Sequence, residues 1–390
     1  MKKGWVYKKL LDVCDFQGGA QPPKSEWVKN PQNGYVRMLQ IRDFTQSREA
    51  IPEYVKLTNK VRTCSCDDIM VGRYGASVGK ILTGLAGAYN VALMKTLPDK
   101  DFLIKPYLRF YLLSNCFQGY LTSLGGRAAQ AGFSKDDLAN LSIALPPLSE
   151  QKEIVEYLDS SFAKIDKLKE NASKNLEEAK ALFQSALKNA LEPKEGWEEK
   201  TLGEMVKDVK YGTSKPACAD GAYTYLRMNN ITSDGHLDLN DTKTISLDDK
   251  ELEKCIVRKG DILFNRTNSY EHVGKTCVFT EETPMVIAGY IIRIRLKECL
   301  NPYYMNYFFN MKDTKAKLRK ISVGAVHQSN INAKAVQTVV IPLPSLSEQQ
   351  SIVSFLDSLN EKVNTLQQNY SRICDECDAL KQAILRQVFE

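Results

Sequence analysis

The residues of this chain with the types to do chemistry are two Gly-Lys pairs, three histidines, two close cysteine pairs and several adjacent carboxylates. Val78-Gly79-Lys80 and Val273-Gly274-Lys275-Thr276 invite reading as phosphate-binding loops. Such a loop needs a glycine five residues ahead, so that its backbone amides cradle phosphate. Those positions hold Tyr74 and Ser269, and Ile81 stands where Ser or Thr is required. His236, His272 and His327 form no nucleophile motif and no two share metal-ligand spacing. Cys64-Ser65-Cys66 has no second pair at zinc-ribbon distance. Cys374 and Cys377 have C-x-x-C spacing but fall within a long helical pattern, without the strand and turn of a redox site. Asp67-Asp68 and Asp248-Asp249 make no nuclease-like set, and Asp68 and Asp261 read as turn residues ahead of strands. The expectation is a chain with no catalytic residue, no metal and no cofactor.

Behind these residues lies an internal repeat. Gly4-Trp5 and Gly196-Trp197 open the two halves. Tyr35-Val36-Arg37-Met38-Leu39-Gln40-Ile41 aligns with Tyr225-Leu226-Arg227-Met228-Asn229-Asn230-Ile231, and Asp68-Ile69 with Asp261-Ile262. Arg73 aligns with Arg266, Val78-Gly79-Lys80 with Val273-Gly274-Lys275, and Pro106-Tyr107 and Tyr111 with Pro302-Tyr303 and Tyr307. Gly126 and Gln130 match Gly324 and Gln328. Leu145-Pro146-Pro147-Leu148-Ser149-Glu150-Gln151 against Leu343-Pro344-Ser345-Leu346-Ser347-Glu348-Gln349 closes each half. So many matches in one order mark a duplication.

Each repeat splits into two parts. The first shows short strand-like runs (Tyr35–Ile41, Ile69–Val71, Ile262–Phe264, Val286–Leu296) and helical patterns near Pro106–Leu113 and Pro302–Phe309. This is a mixed α/β (α+β) class with strand order open. The second part is a long helix, with Ser149 and Ser347 as expected N-caps. Its seam comprises Ile154, Leu158, Ile165, Leu168 and Leu182 in the first copy. In the second copy it comprises Ile352, Leu356, Leu359, Val363, Leu366, Ile373, Leu380 and Ile384. Alternating steps of four and three specify a coiled coil. The expected domains are 1–148, a helix over 149–192, 193–346, and a helix over 347–390. The short connector Pro193–Gly196 requires the second helix to run back along the first. Two globular parts then lie at opposite ends of an antiparallel helix pair about 60 Å long, at roughly 1.5 Å per residue.

Charge separates the parts further. The helical segments carry 11 Lys and Arg against 16 Asp and Glu, a net of −5. Residues 1–148 carry a net +8 and residues 193–346 a net +3. Positive charge on the globular parts suits a polyanion, so double-stranded DNA is a candidate partner. Phosphates need Lys or Arg, and base edges need Arg, Asn, Gln or His. Candidates are Gln40, Arg42, Arg73, Tyr74, Lys80, Arg127 and Gln130 in the first half. The second half offers Arg227, Asn229, Asn230, Arg266, Asn268, Lys275, His327 and Gln328. Arg73 and Arg266 recur, which favours a shared structural or phosphate role. Leu39-Gln40 against Asn229-Asn230 differ, which favours sequence readout. No apolar run reaches the eighteen or so residues of a membrane span, and no apolar stretch follows the N-terminal lysines, so a cytoplasmic protein is expected.

Taken together, the doubled Gly-Trp start, Tyr-(Val/Leu)-Arg strand, Asp-Ile strand and Leu-Pro-x-Leu-Ser-Glu-Gln helix entry resemble the specificity subunit of type I restriction–modification systems, over essentially the whole chain. The resemblance implies two target recognition domains, each reading one half of a bipartite site. It implies helices that space those domains and dock modification (adenine methyltransferase) and restriction (translocase and endonuclease) subunits. Catalysis would belong to those partners. A coiled-coil adaptor with protein-binding heads is the alternative; it leaves the positive heads unexplained. A self-sufficient enzyme is the third reading.

Overall fold

The protein, in a computed structural model, is described over residues 4–46, 49–124, 132–325 and 328–390, with the backbone alone at Ala325 and Gln328. It divides into two compact units, Met1–Ala172 with Ser371–Glu390, and Ser173–Tyr370.

The head of the first unit holds two four-stranded sheets. One is antiparallel, in the order Cys14–Gly18, Leu93–Pro98, Met70–Gly72, Ile81–Leu82. The other runs Tyr54–Lys56, Tyr35–Leu39, Gly87–Tyr89, Thr63–Cys64, with its central pair parallel. The second unit repeats both orders. Val206–Tyr211, Ile291–Leu296, Ile262–Asn265 and Thr276–Val278 form one sheet. Lys243–Ile245, Tyr223–Leu226, Met285–Ile287 and Ile256–Val257 form the other. The mixed α/β class is therefore observed, and the strand order is now fixed.

Two expected strands are corrected. Val286–Leu296 is two strands in different sheets. Ala288 N–H donates to Leu226 O at 2.9 Å and Gly289 N–H to Thr213 O at 2.7 Å, turning the chain between the sheets. Tyr35–Ile41 ends at Leu39, because Gln40 N–H donates to the Asp43 carboxylate at 2.8 Å and opens the helix Ile41–Thr45.

Each head is closed by a two-stranded ladder joining its first and last strands, Val6–Lys9 with Ser142–Leu145 and Glu198–Thr201 with Val340–Leu343. A buried tyrosine locks each ladder to a helix. Tyr107 donates to Ala144 O at 2.8 Å and Tyr304 to Pro342 O at 2.9 Å. The partner of Tyr107 is thus Tyr304, one residue past the Tyr303 of the sequence alignment, and Tyr303 is exposed. The helices enter differently: proline is the second residue of Lys105–Leu113 but the first of Pro302–Asn310.

The repeated Ser-Glu-Gln motif fastens each long helix to its head. The fully buried Gln151 accepts from Ile104 N–H at 3.1 Å and donates to Phe102 O and Pro146 O. Gln349 does the same with Asn301 N–H at 2.7 Å, Cys299 O and Pro344 O. The long helices run Leu148–Leu191 and Leu346–Phe389. Ser149 and Ser347 therefore lie inside the first turn and are not N-caps. Ser345 accepts from Glu348 N–H at 3.3 Å instead; its counterpart, Pro147, has no side-chain acceptor.

Within the first unit, Lys169 meets Asp378 at 3.0 Å and Lys381 meets Asp166 at 2.5 Å, so the two helical segments there are antiparallel. Within the second, Leu187 and Leu191 share a core with Ile352, Val353 and Leu356. Of the expected seam, Leu158, Ile165, Ile352, Leu356 and Val363 are buried; Ile154, Leu359, Ile373 and Ile384 are half-buried. Leu168, Leu182, Leu366 and Leu380 are exposed, at 54%, 65%, 43% and 50%. Ile165, Leu176 and Leu187, eleven residues apart, are buried in the first helix. The reason is pitch: a seven-residue stripe drifts by about 20° per heptad on a straight helix, whereas an eleven-residue step stays close to 3.6 per turn.

Candidate nucleic-acid interface

The two recurring arginines are built into the heads. Arg73 N–H donates to Ala92 O at 2.9 Å and its Nε to Phe133 O at 2.8 Å, while its guanidinium lies 5.0 Å from the Tyr74 ring centroid. Arg266 N–H donates to Tyr290 O at 2.9 Å and its Nη2 to Asn330 Oδ1 at 3.0 Å, over Tyr211 at 4.8 Å. Each backbone carbonyl accepts from an equivalent residue, Phe133 N–H or Ile331 N–H. Their recurrence thus reflects a shared strut between the central sheet and a late segment of the head.

Around each strut the same turn gathers further candidates. Asn90 N–H donates to Leu39 O, just as Ala288 N–H donates to Leu226 O. The structural counterpart of Gln40 is therefore Arg227, three residues before the Asn230 with which the sequence aligned it. Asp43 and Asn230 are then equivalent, and both are buried. Asp43 accepts from Gln40 N–H at 2.8 Å, and Asn230 Oδ1 from Arg227 N–H at 2.8 Å. The Asn230 amide also donates to Asp238 O and Asp241 O, which commits it to holding its loop.

The remaining candidates differ in freedom. Gln40 and Arg42 both reach Glu53, at 3.4 and 2.8 Å. Lys24, with Arg42, holds that carboxyl below the usual range. Arg227 and Asn229 share Asp241, at 2.9 and 3.1 Å. Lys80 and Tyr74 are exposed. Lys275 donates to Ile231 O at 3.1 Å, and burial pushes its amine down. The matched Gly79 and Gly274 both adopt positive φ, +77° and +84°, where a side chain is strained, so these glycines shape hairpins. Asn268 Oδ1 accepts from Ser269 N–H, on a three-stranded sheet of Thr267–Asn268, Gln328–Asn330 and Val323–Ala325. Arg127, Gln130 and His327 lie outside the described residues, as does the side chain of Gln328. Asp68 and Asp261 each accept from the backbone N–H three residues earlier, on Ser65 and Arg258.

Two features stand outside these candidates. The helix Lys312–Lys320 carries Lys312, Lys315, Lys317, Arg319 and Lys320 on nine residues; the run Lys-Asp-Thr-Lys-Ala-Lys-Leu-Arg-Lys is its signal in the sequence. The second unit also contains a cavity of about 690 Å³ lined by Lys315, His236, Asn306, Tyr307, Asp357 and Asn360. In the first unit Phe110 and Phe162 meet edge to face at 5.4 Å. Tyr307 and Asn360 occupy the corresponding positions, so polar groups surround space where aromatic rings pack in the other head. Burial, with Arg319 nearby, pulls the Lys315 amine down to about 8. Asp234 raises the pKa of His236. Among the described residues, no cluster of His, Cys, Asp and Glu has the grouping to hold a metal, and no helix is long and apolar enough to cross a membrane.

These arrangements define a duplicated α/β protein in which each head is pinned to a long helix by the same buried glutamine. The family model for the type I restriction modification DNA specificity domain matches residues 2–178 and again 194–373, and the chain belongs to that family. The chain is 22% identical over 416 residues to the type I restriction enzyme EcoKI specificity subunit of Escherichia coli K12, covering 100% of this chain and 89% of that protein. It is 30% identical over 178 residues to the putative MjaX specificity subunit of Methanocaldococcus jannaschii, covering 44% and 41%. Among solved structures, a chain described for assembly and conformational transition of the type I R-M system matches with TM-score 0.78 at 20% identity, covering 99% and 98%. The HsdS subunit of Thermoanaerobacter tengcongensis matches with TM-score 0.56 at 21% identity, covering 100% and 97%. At these identities the likeness to solved structures concerns the fold.

Proposed function

We propose that this chain is the DNA-reading subunit of a type I restriction–modification complex. The observation that carries the reading is the double match to the specificity domain, laid over two heads that share the strand order of both four-stranded sheets. Residues 1–148 and 193–346 are the two target recognition domains, each reading one half of an asymmetric split site. The helices over 149–192 and 347–390 space them and dock the partners. Modification subunits supply the methyl transfer to adenine, and restriction subunits supply translocation and cleavage. The chain itself is non-catalytic and works in the cytoplasm, where its DNA is.

Direct readout falls to the groups at the turns around Asn90–Ala92 and Ala288–Tyr290: Gln40, Arg42, Arg227, Asn229 and Asn268. Arg73 and Arg266 hold these turns in place, and the exposed Lys80 offers a charge for phosphate. Arg127, Gln130, His327 and Gln328 remain proposed DNA contacts on the grounds of residue type alone.

Domain exchange tests the assignment. Residues 1–148 are replaced by those of a relative, the complex is assembled with its modification subunits, and the methylated sequence is determined. One half-site should change and the other persist. If both half-sites persist, the first head does not read DNA.

A further inference from the structure

We infer that the helix Lys312–Lys320 grips the DNA backbone for the second recognition domain, its exposed Lys317 and Lys320 contacting phosphates beside the second half-site. This rests on the DNA-reading function proposed above.

Charge is the first argument. Residues 193–346 have a net charge of +3, while this helix alone holds five cations against Asp313, a net of +4. Without it the second head would be slightly acidic. The corresponding helix of the first unit, Asn115–Leu124, has no charged residue. That head draws its positive charge from elsewhere, so the basic helix is not a requirement of the fold.

Placement is the second argument. Thr314 and Leu318 face inward and are buried, which leaves Lys317 and Lys320 on the solvent side. Two further cations tie the helix to the loops that leave the readout groups. Lys315 donates to Ser233 O at 2.7 Å, on the loop that follows Asn229, and Arg319 donates to Glu271 O at 3.1 Å, on the loop that follows Asn268. The helix is thus braced against both loops of the proposed interface. Among the described residues, the Lys312, Lys317 and Lys320 amines meet no carboxylate, whereas Asp313 is engaged by Lys188 at 3.3 Å.

Helix electrostatics alone do not explain the pattern. The last turn of a helix favours cations, which accounts for Lys317, Arg319 and Lys320. Lys312 sits at the opposite end, where a cation is disfavoured. Its side chain lines the cavity beside Glu177 and Asp357, which leaves Lys317 and Lys320 as the outward-facing pair.

The test uses the complex with its modification subunits and measures DNA affinity between about 50 and 200 mM salt, where each phosphate contact contributes roughly −0.9 to the log–log slope. Lys317→Gln with Lys320→Gln should reduce the steepness of that slope by about 2 and weaken cognate and non-cognate DNA alike. The methylated sequence should stay the same, because phosphate contacts carry no base information. Lys317→Arg with Lys320→Arg should keep the slope. An unchanged slope in the Gln variant overturns the inference while leaving DNA reading intact. So does a variant that no longer assembles with the modification subunits, since the helix would then be a protein contact. Salt-independent binding by the unaltered complex would refute the DNA-reading function itself.

Discussion

The Trp5 indole donates to the Glu150 carboxylate at 2.9 Å, tying the Gly4-Trp5 pair to the start of a helix 145 positions later. Trp197 makes the same bond to Glu348 at 3.2 Å. The Gly-Trp and Ser-Glu-Gln motifs, far apart in sequence, are thus two halves of one joint. Trp197→Phe keeps the ring and removes the donor. It should lower stability by about 1–2 kcal/mol, the scale of a partly buried hydrogen bond to a charged acceptor. Urea denaturation of the chain checks this, and an unchanged midpoint would show the bond to be incidental.

Beside that joint, Gln349 is fully buried and serves three backbone groups. Gln349→Leu is close in size but leaves Asn301 N–H, Cys299 O and Pro344 O without this partner. Each buried group so orphaned costs on the order of 1–3 kcal/mol, so the substitution should destabilise more than Trp197→Phe. Gln151→Leu should act similarly on the first unit. Hydrogen exchange of Asn301 N–H reports the local opening. Protection unaltered in the variant would contradict the role.

How much of this was legible in sequence depends on what each residue touches. The duplication and the Ser-Glu-Gln joint were visible, because the same buried geometry demands the same residues twice. Alignment slipped where only pattern guided it. Tyr-x-Arg drew Tyr35 onto Tyr225, yet the parallel pairing of Leu39 with Tyr89 and of Leu226 with Ile287 makes Gln40 and Arg227 equivalent. Tyr107 was drawn onto Tyr303 because each follows a proline; the ladder hydrogen bond selects Tyr304. Heptad reading overextended the seam to Leu168, Leu182, Leu366 and Leu380, since hydrophobic spacing does not reveal pitch. Arg73 and Arg266 read as phosphate ligands or struts, and only their backbone partners distinguish the two. The basic run Lys312–Lys320 was not among the sequence candidates, because charge spacing alone does not show which side of a helix faces the core.

The cavity of the second unit makes stability depend on alkaline pH. Lys315 has its amine pulled from an ordinary 10.5 to about 8 by burial. Between those values the unfolded chain holds a proton that the folded chain has released. Stability contributed by this group therefore rises as pH climbs from about 8 towards 10.5. Lys315→Met removes the dependence. The difference in unfolding free energy between the two proteins should shift in favour of the native lysine across that window. A pH-independent difference would show that the amine is not buried in the folded chain.

The helices should act as a ruler. One heptad inserted into each long helix adds about 10 Å at roughly 1.5 Å per residue, close to three base pairs of about 3.4 Å. The gap between half-sites should then lengthen, or binding should fail. An unchanged gap with unchanged affinity would remove the spacing role from the helices.

The most direct test of the account is methylome sequencing of cells expressing this chain with its modification subunits, compared with cells lacking it. The account predicts methylated adenine within one split motif, two specified parts separated by an unspecified gap, appearing only when this chain is present. A single uninterrupted motif, or methylation that is the same without this chain, would contradict it.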